Sequence, residues 1–171
     1  MTLPGSSYSK SRITSEQALQ KLKHYCGYRE RSHAEARQKL YSLGLFKTEV
    51  EGLVSRLIEE EYLNEERYAC LFASGKSRIK GWGKQKIRHA LRQERISEYC
   101  IIKALKALDE TEYADSFRRQ AGKKWDALRS EKNIFVKKNK WQQYLLQRGF
   151  EPALIKSWSF PGENIAGTAA D

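Results

Sequence analysis

The strongest constraint on this chain is that it states nearly the same pattern three times. Leu40, Leu91 and Leu145 are each followed five residues later by an apolar residue (Leu45, Ile96, Phe150), and five later again by another (Val50, Ile101, Ile155). This spacing describes the end of one helix, a tight turn and the start of the next. Upstream, Ala18, Ala69 and Ala114 mark an earlier helix of each unit, and Tyr68-Ala69 is echoed by Tyr113-Ala114. The alanines lie 51 and 45 residues apart and the leucines 51 and 54, so the third unit carries nine extra residues between its first two helices. Repeats of this length point to stacked helical units, which generally grip a large partner rather than enclose a small substrate.

Only three prolines occur, Pro4, Pro152 and Pro161, so nearly the whole span is free of the residue that most disrupts helix interiors. An all-α fold is therefore expected, with three tandem three-helix repeats stacked into an elongated, curved array. The repeats are expected at 14–63, 64–108 and 109–160, between a flexible N-terminal tail (1–13) and a disordered C-terminal one (161–171). No apolar run is long enough to cross a bilayer and the first residues lack an apolar secretory core, so a cytoplasmic protein is expected. Cys26, Cys70 and Cys100 are odd in number, widely spaced and each within a helical pattern, which favours free buried thiols over a disulfide framework.

Several helix ends are signposted. Thr14 precedes Gln17, Ser32 precedes Glu35 and Thr48 precedes Glu51 by the three residues a capping box requires. Asn64 and Ser97 are good N-caps for helices of the middle unit. Gly44 and Gly149 fall where a helix must end in a left-handed residue, which glycine adopts without steric penalty. The middle unit has Arg95 at that place, so its turn is either built differently or strained.

The formal net charge of +11 is uneven. The first unit is neutral, while the second carries +7 and the third +4. Such a field attracts polyanions. Arg78, Lys80, Lys84, Lys86, Arg88 and Arg92 surround Gly81-Trp82-Gly83, and Lys84, Arg88 and Arg92 recur every four residues along one edge of a helix. With Trp82, these side chains are the candidate contacts for DNA phosphates, and the glycines would let helix-start amides approach an anion closely. The plainer alternative is that the glycines turn the chain and Trp82 covers a core edge. Lys137, Lys138 and Lys140 form a second basic cluster that points several ways on a helix, as a solvated face does. Glu65 and Glu66 open a helix, where carboxylates suit the dipole.

Catalysis finds little support. His24 and Cys26 face different sides of a helix, His33 and His89 are isolated, and the acids sit at helix starts or on exposed stripes, so no metal-ligand set is read. No phosphate-binding glycine loop or nucleophile triad can be assigned. No enzyme activity and no cofactor are expected.

The stretch Glu61-Tyr62-Leu63-Asn64-Glu65-Glu66-Arg67-Tyr68-Ala69, followed by Gly83-Lys84-Gln85-Lys86-Ile87 and Leu91, resembles the signature of the RecX family of recombination regulators. The resemblance covers residues 14 to about 158. It departs at Glu61 and Arg95, where the family has glycine, at Asn64 for aspartate and at Lys84 for proline. It implies three tandem three-helix units and a protein that binds filaments of the RecA recombinase on DNA, limiting their growth, strand exchange and coprotease activity; a monomer is expected. The alternative to that reading is a stand-alone basic helical DNA-binding protein.

Overall fold

The computed structural model describes residues 13–160, so the expected tails fall outside the described residues, apart from Ile13. Every regular element among these residues is helical. In chain order they are α1 (Ser15–Tyr28), α2 (His33–Ser42), α3 (Lys47–Glu59), α4 (Glu65–Lys80), α5 (Lys84–Gln93), α6 (Glu98–Lys106), α7 (Glu110–Ala127), α8 (Ile134–Gln147) and α9 (Pro152–Lys156). No helix among them is long and apolar enough to cross a membrane.

The repeat read from the sequence is a repeat of burial. Leu40, Leu91 and Leu145 are buried, and so are the apolar residues five and ten positions on from each. Ala18 and Ala69 are buried too, whereas Ala114 is only half-buried. Between each leucine and its partner the backbone turns through a left-handed residue: Gly44 (φ 85°), Arg95 (φ 60°) and Gly149 (φ 85°). The amides of Ile96 and Phe150 reach back to the carbonyls of Leu91 and Leu145 (both 3.1 Å), closing the same turn in the second and third trios. Arg95 thus keeps the glycine geometry and bears the strain.

The nine extra residues of the third trio are mostly helical. Relative to the trio before it, α7 runs two residues further past its alanine, the loop to α8 is three longer, and α8 begins four residues earlier before its leucine. The extension is therefore largely added helix on either side of a longer loop.

Two of the three expected capping boxes form, at Thr14 and Ser32. The third does not. α3 begins two residues earlier than Thr48 would set it, at Lys47, and the Phe46 amide donates to Glu49 Oε2 (2.9 Å). Leu45 must enter the core directly after the Gly44 turn, which leaves no room for two further extended residues before Val50 is buried. Glu51, freed from capping, takes Arg37 in a forked pair (Nε to Oε1 2.9 Å, Nη2 to Oε2 3.0 Å). That contact holds the Glu51 carboxyl below its ordinary pKa.

Packing divides the helices into two compact units. The first comprises the chain up to Leu71 with Leu91–Lys103, and the second comprises Phe72–Ala90 with the residues from Ala104 onward. Helices α4, α5 and α6 each contribute to both units. The first unit has an aliphatic core of Leu19, Leu22, Leu40, Val54, Leu57 and Leu63, each burial worth about 1.5–3 kcal/mol. Its three cysteines are free thiols; Cys26 and Cys100 are buried as expected, and Cys70 is half-buried. Burial pushes the Cys26 thiol up to about 11, so it packs as an inert protonated group. The core of the second unit is aromatic. Phe117 meets Phe150 edge-on (5.3 Å) and Trp158 likewise (6.0 Å), and Trp141 Nε1 donates to the Ala121 carbonyl (2.9 Å).

Candidate nucleic-acid interface

The two units differ sharply in charge. The described residues of the first hold 12 basic and 12 acidic side chains, and those of the second hold 18 and 7. The net positive charge of the described residues therefore lies in the second unit. In the first unit, cations and acids are spent on each other: Arg67 pairs with Glu30 (2.6 Å), Lys103 with Glu66 (2.7 Å) and Arg92 with Glu98 (3.0 Å). Glu65 accepts from both the amide and the hydroxyl of Ser97 (2.9 and 3.0 Å). Glu65 and Glu66 thus tie α4 to α6, a role beyond the dipole complement read from the sequence.

The loop between α4 and α5 lies in the second unit and is held by the turn after α8. Gly81 has φ 62°, and a side-chain carbon there would overlap Gln120. At Gly83 such a carbon would overlap the backbone of Gly149 and Phe150, so only glycine admits this close approach. The amides that open α5 are consumed internally. Gly83 donates to the Arg148 carbonyl (2.8 Å), Lys84 to Tyr113 Oη (3.0 Å) and Gln85 to the Gly149 carbonyl (3.0 Å). Tyr113 in turn donates to Glu151 Oε2 (2.6 Å). Burial and that carboxylate push the Tyr113 phenol far above its ordinary pKa. The Gly83, Lys84 and Gln85 amides, read from the sequence as able to approach an anion, donate instead to two protein carbonyls and a phenol. The glycines serve packing.

The candidate side chains fare differently from the amides. Trp82 is half-buried, with the Lys76 and Lys86 ammonium groups over its ring (5.1 and 4.9 Å). A ring so occupied steadies cations rather than offering a bare face to a base. Arg78 and Lys80 are exposed at the end of α4. Lys84 is half-buried, with its ammonium over the Tyr113 ring (4.8 Å), Arg88 is half-buried, and Arg92 is exposed in its pair with Glu98. The four-residue spacing of Lys84, Arg88 and Arg92 is real, yet Lys84 and Arg92 are engaged by neighbours.

Three cations that sequence reasoning missed extend the patch. Lys76 stands one helical turn before Lys80 on α4. Arg148 donates to the Lys80 carbonyl (2.6 Å) and to Tyr144 Oη (3.1 Å), and the Lys124 ammonium lies 5.0 Å from the Tyr144 ring. Tyr144 also donates to Gln120 Oε1 (2.9 Å). Lys76 and Lys86 are thus set over the Trp82 ring and Lys124 and Arg148 over the Tyr144 ring, with exposed Lys80 joined to the second group through its carbonyl. None of these five cations has an ion pair among the described residues. The α8–α9 turn could be placed from the repeat, but nothing in the sequence says that it returns to Gly83. No cluster of three or more metal-ligating side chains occurs among the described residues.

The described residues thus form a tandem helix-repeat fold whose second unit carries a cationic surface with several ammonium and guanidinium groups set over aromatic rings. The family model for the second three-helix domain of RecX matches residues 64–105, and that for the third matches residues 110–158. The regulatory protein RecX of Thermotoga petrophila is 32% identical over 132 residues, 75% of this chain and 74% of that protein. That of Salmonella paratyphi A is 32% identical over 133 residues, 71% of this chain and 77% of its own length. The Clostridium perfringens protein is 27% identical over 122 residues, and the chain spans 57% of its length. Crystal structures of RecX from Lactobacillus salivarius (TM-score 0.73, 83% of this chain and 92% of that one) and of a second regulatory protein RecX (TM-score 0.77, 84% and 70%) share the fold at 22% identity. The chain belongs to the RecX family of regulatory proteins.

Proposed function

We propose that this protein binds filaments of the RecA recombinase assembled on DNA, as a monomer in the cytoplasm, and negatively modulates recombinase and coprotease activity. It does so by occupancy, without a cofactor and without a reaction of its own. Family membership supports the regulatory role. The observation that carries the mechanism is the concentration of charge: the second unit holds the whole net excess of the described residues, and Lys76, Lys80, Lys86, Lys124 and Arg148 have no ion pair among those residues. Unpaired ammonium and guanidinium groups exchange counterions for phosphates at little desolvation cost, which gives affinity that falls steeply with salt. The aromatic rings fix those groups in place and reduce the entropy lost on binding.

The test compares naked single-stranded DNA, naked duplex and RecA assembled on single-stranded DNA across a range of ionic strength, with RecA's ATP hydrolysis as the functional readout. Marked preference for the filament together with slowed hydrolysis supports the proposal. Equal, salt-steep affinity for all three substrates with unaltered hydrolysis would establish the plain DNA binder instead.

A further inference from the structure

The added turn that begins α8 carries three consecutive apolar residues turned to solvent: Ile134 is 47% exposed, Phe135 81% and Val136 39%. The corresponding helices α2 and α5 begin seven residues before their buried leucine, and α8 begins eleven before. The whole apolar tip therefore lies in residues that the other two trios manage without, and the repeat does not need it to close its core. A contiguous exposed apolar group on a charged protein marks a contact surface.

We infer that this tip is a protein-docking anchor, with Phe135 entering an apolar socket whose rim is acidic. The inference rests on the filament-binding reading above and adds that protein and phosphate are met by separate features of the second unit. Two observations favour a protein socket over nucleic acid. Asn133 Oδ1 accepts from the amides of both Phe135 and Val136 (3.0 and 3.2 Å), so the start of α8 keeps those donors for itself rather than for a phosphate. The cations of α8 are also drawn back onto the protein. Lys137 lies over the Trp125 ring (4.0 Å), Lys138 over Phe160 (4.7 Å), and Lys140 pairs with Glu131 (2.6 Å). What the tip presents is hydrocarbon. Exposed Lys132, with no ion pair among the described residues, stands two residues before it and supplies the charge that an acidic rim would complement. The tip is also preset, because Asn133 caps the helix and its own amide is held by Glu131 Oε1 (3.3 Å), so little order is lost on docking.

The test uses the full chain with Phe135→Ser and, separately, Ile134→Ser. Tyr28→Ser serves as a control, since it removes an aromatic of similar exposure (84%) from the first unit. Thermal melts establish that the variants fold. Affinity is measured for RecA on single-stranded DNA and for naked DNA, with sedimentation for self-association. An anchor aromatic is worth about 2 kcal/mol or more, so Phe135→Ser is expected to weaken filament binding by about 30-fold or more. Binding to naked DNA and the salt slope should stay as in the parent, and Tyr28→Ser should bind normally. Unchanged filament affinity in Phe135→Ser overturns the inference. An equal loss on naked DNA makes the tip a wedge between bases, and loss of a dimer makes it a self-association contact; either result also overturns it. Absence of filament binding by the parent chain would instead refute the function proposed above.

Discussion

Among the described residues, two stand in left-handed backbone without being glycine, Glu61 (φ 61°) and Arg95 (φ 60°). They are the two positions where the RecX signature has glycine and this chain does not. The Cβ of each L-residue crowds the following carbonyl at a cost of about 1–2 kcal/mol, partly offset in a glycine variant by the greater freedom of its unfolded chain. Arg95→Gly is expected to raise stability by roughly 0.5–1 kcal/mol in urea titrations, with helix content unchanged. Glu61→Gly should gain less, because the Glu61 carboxylate lies 3.7 Å from Arg67. His33 offers a second handle. Its Nε2 is buried without a hydrogen-bond partner among the described residues, and burial holds its pKa below the ordinary 6.5. The unfolded chain then takes up a proton near pH 6.5 that the folded chain refuses, so protons favour unfolding. Stability should accordingly be full above pH 6.5 and decline as pH falls below it, and His33→Gln should flatten that decline in melts recorded across the range.

At the scale of elements, the start of α5 is the most tightly specified point of the second unit. Tyr113 accepts from the Lys84 amide and donates to Glu151, joining α5, α7 and the start of α9 through one oxygen. Tyr113→Phe would strand a half-buried amide and a half-buried carboxylate together, and is expected to cost about 1–3 kcal/mol in chemical denaturation, with faster hydrogen exchange at the Lys84 amide. The helices themselves were largely legible in the sequence, because a 3.6-residue apolar period and good N-caps are local signals: Thr14, Ser32, Asn64 and Ser97 all cap as read. The misplaced box at Thr48 shows where local reading yields. In the repeat, Phe46 is the counterpart of Ser97, and that alignment sets the start of α3 correctly where composition favours Thr48. The site was less legible. Lysines and Trp82 near the glycines could be seen, but the occupation of the α5 amides depends on carbonyls some 65 residues further along the chain, at Arg148 and Gly149. No local pattern encodes such a contact.

For the molecule as a whole, charge is allotted by unit rather than by repeat. The sequence reading of 0, +7 and +4 along the chain becomes a neutral unit and one that holds the entire excess. Replacing Lys76, Lys80 and Lys86 together by glutamine should therefore weaken binding to DNA-containing targets and lower the slope of log affinity against log salt by about 2–3, at about 0.7–0.9 for every phosphate no longer neutralised. Fluorescence anisotropy at several salt concentrations measures this, and circular dichroism should show the helices intact. The division of α4, α5 and α6 between the two units has a different kind of consequence. Tandem arrays commonly lengthen or shorten by whole copies, since each copy is a self-similar brick. Here the central copy is mortared into both sides, so excising or duplicating it would wound each side at once. Loss or gain of that central copy is thereby disfavoured, and variation falls more readily in inserted turns such as the one that opens α8.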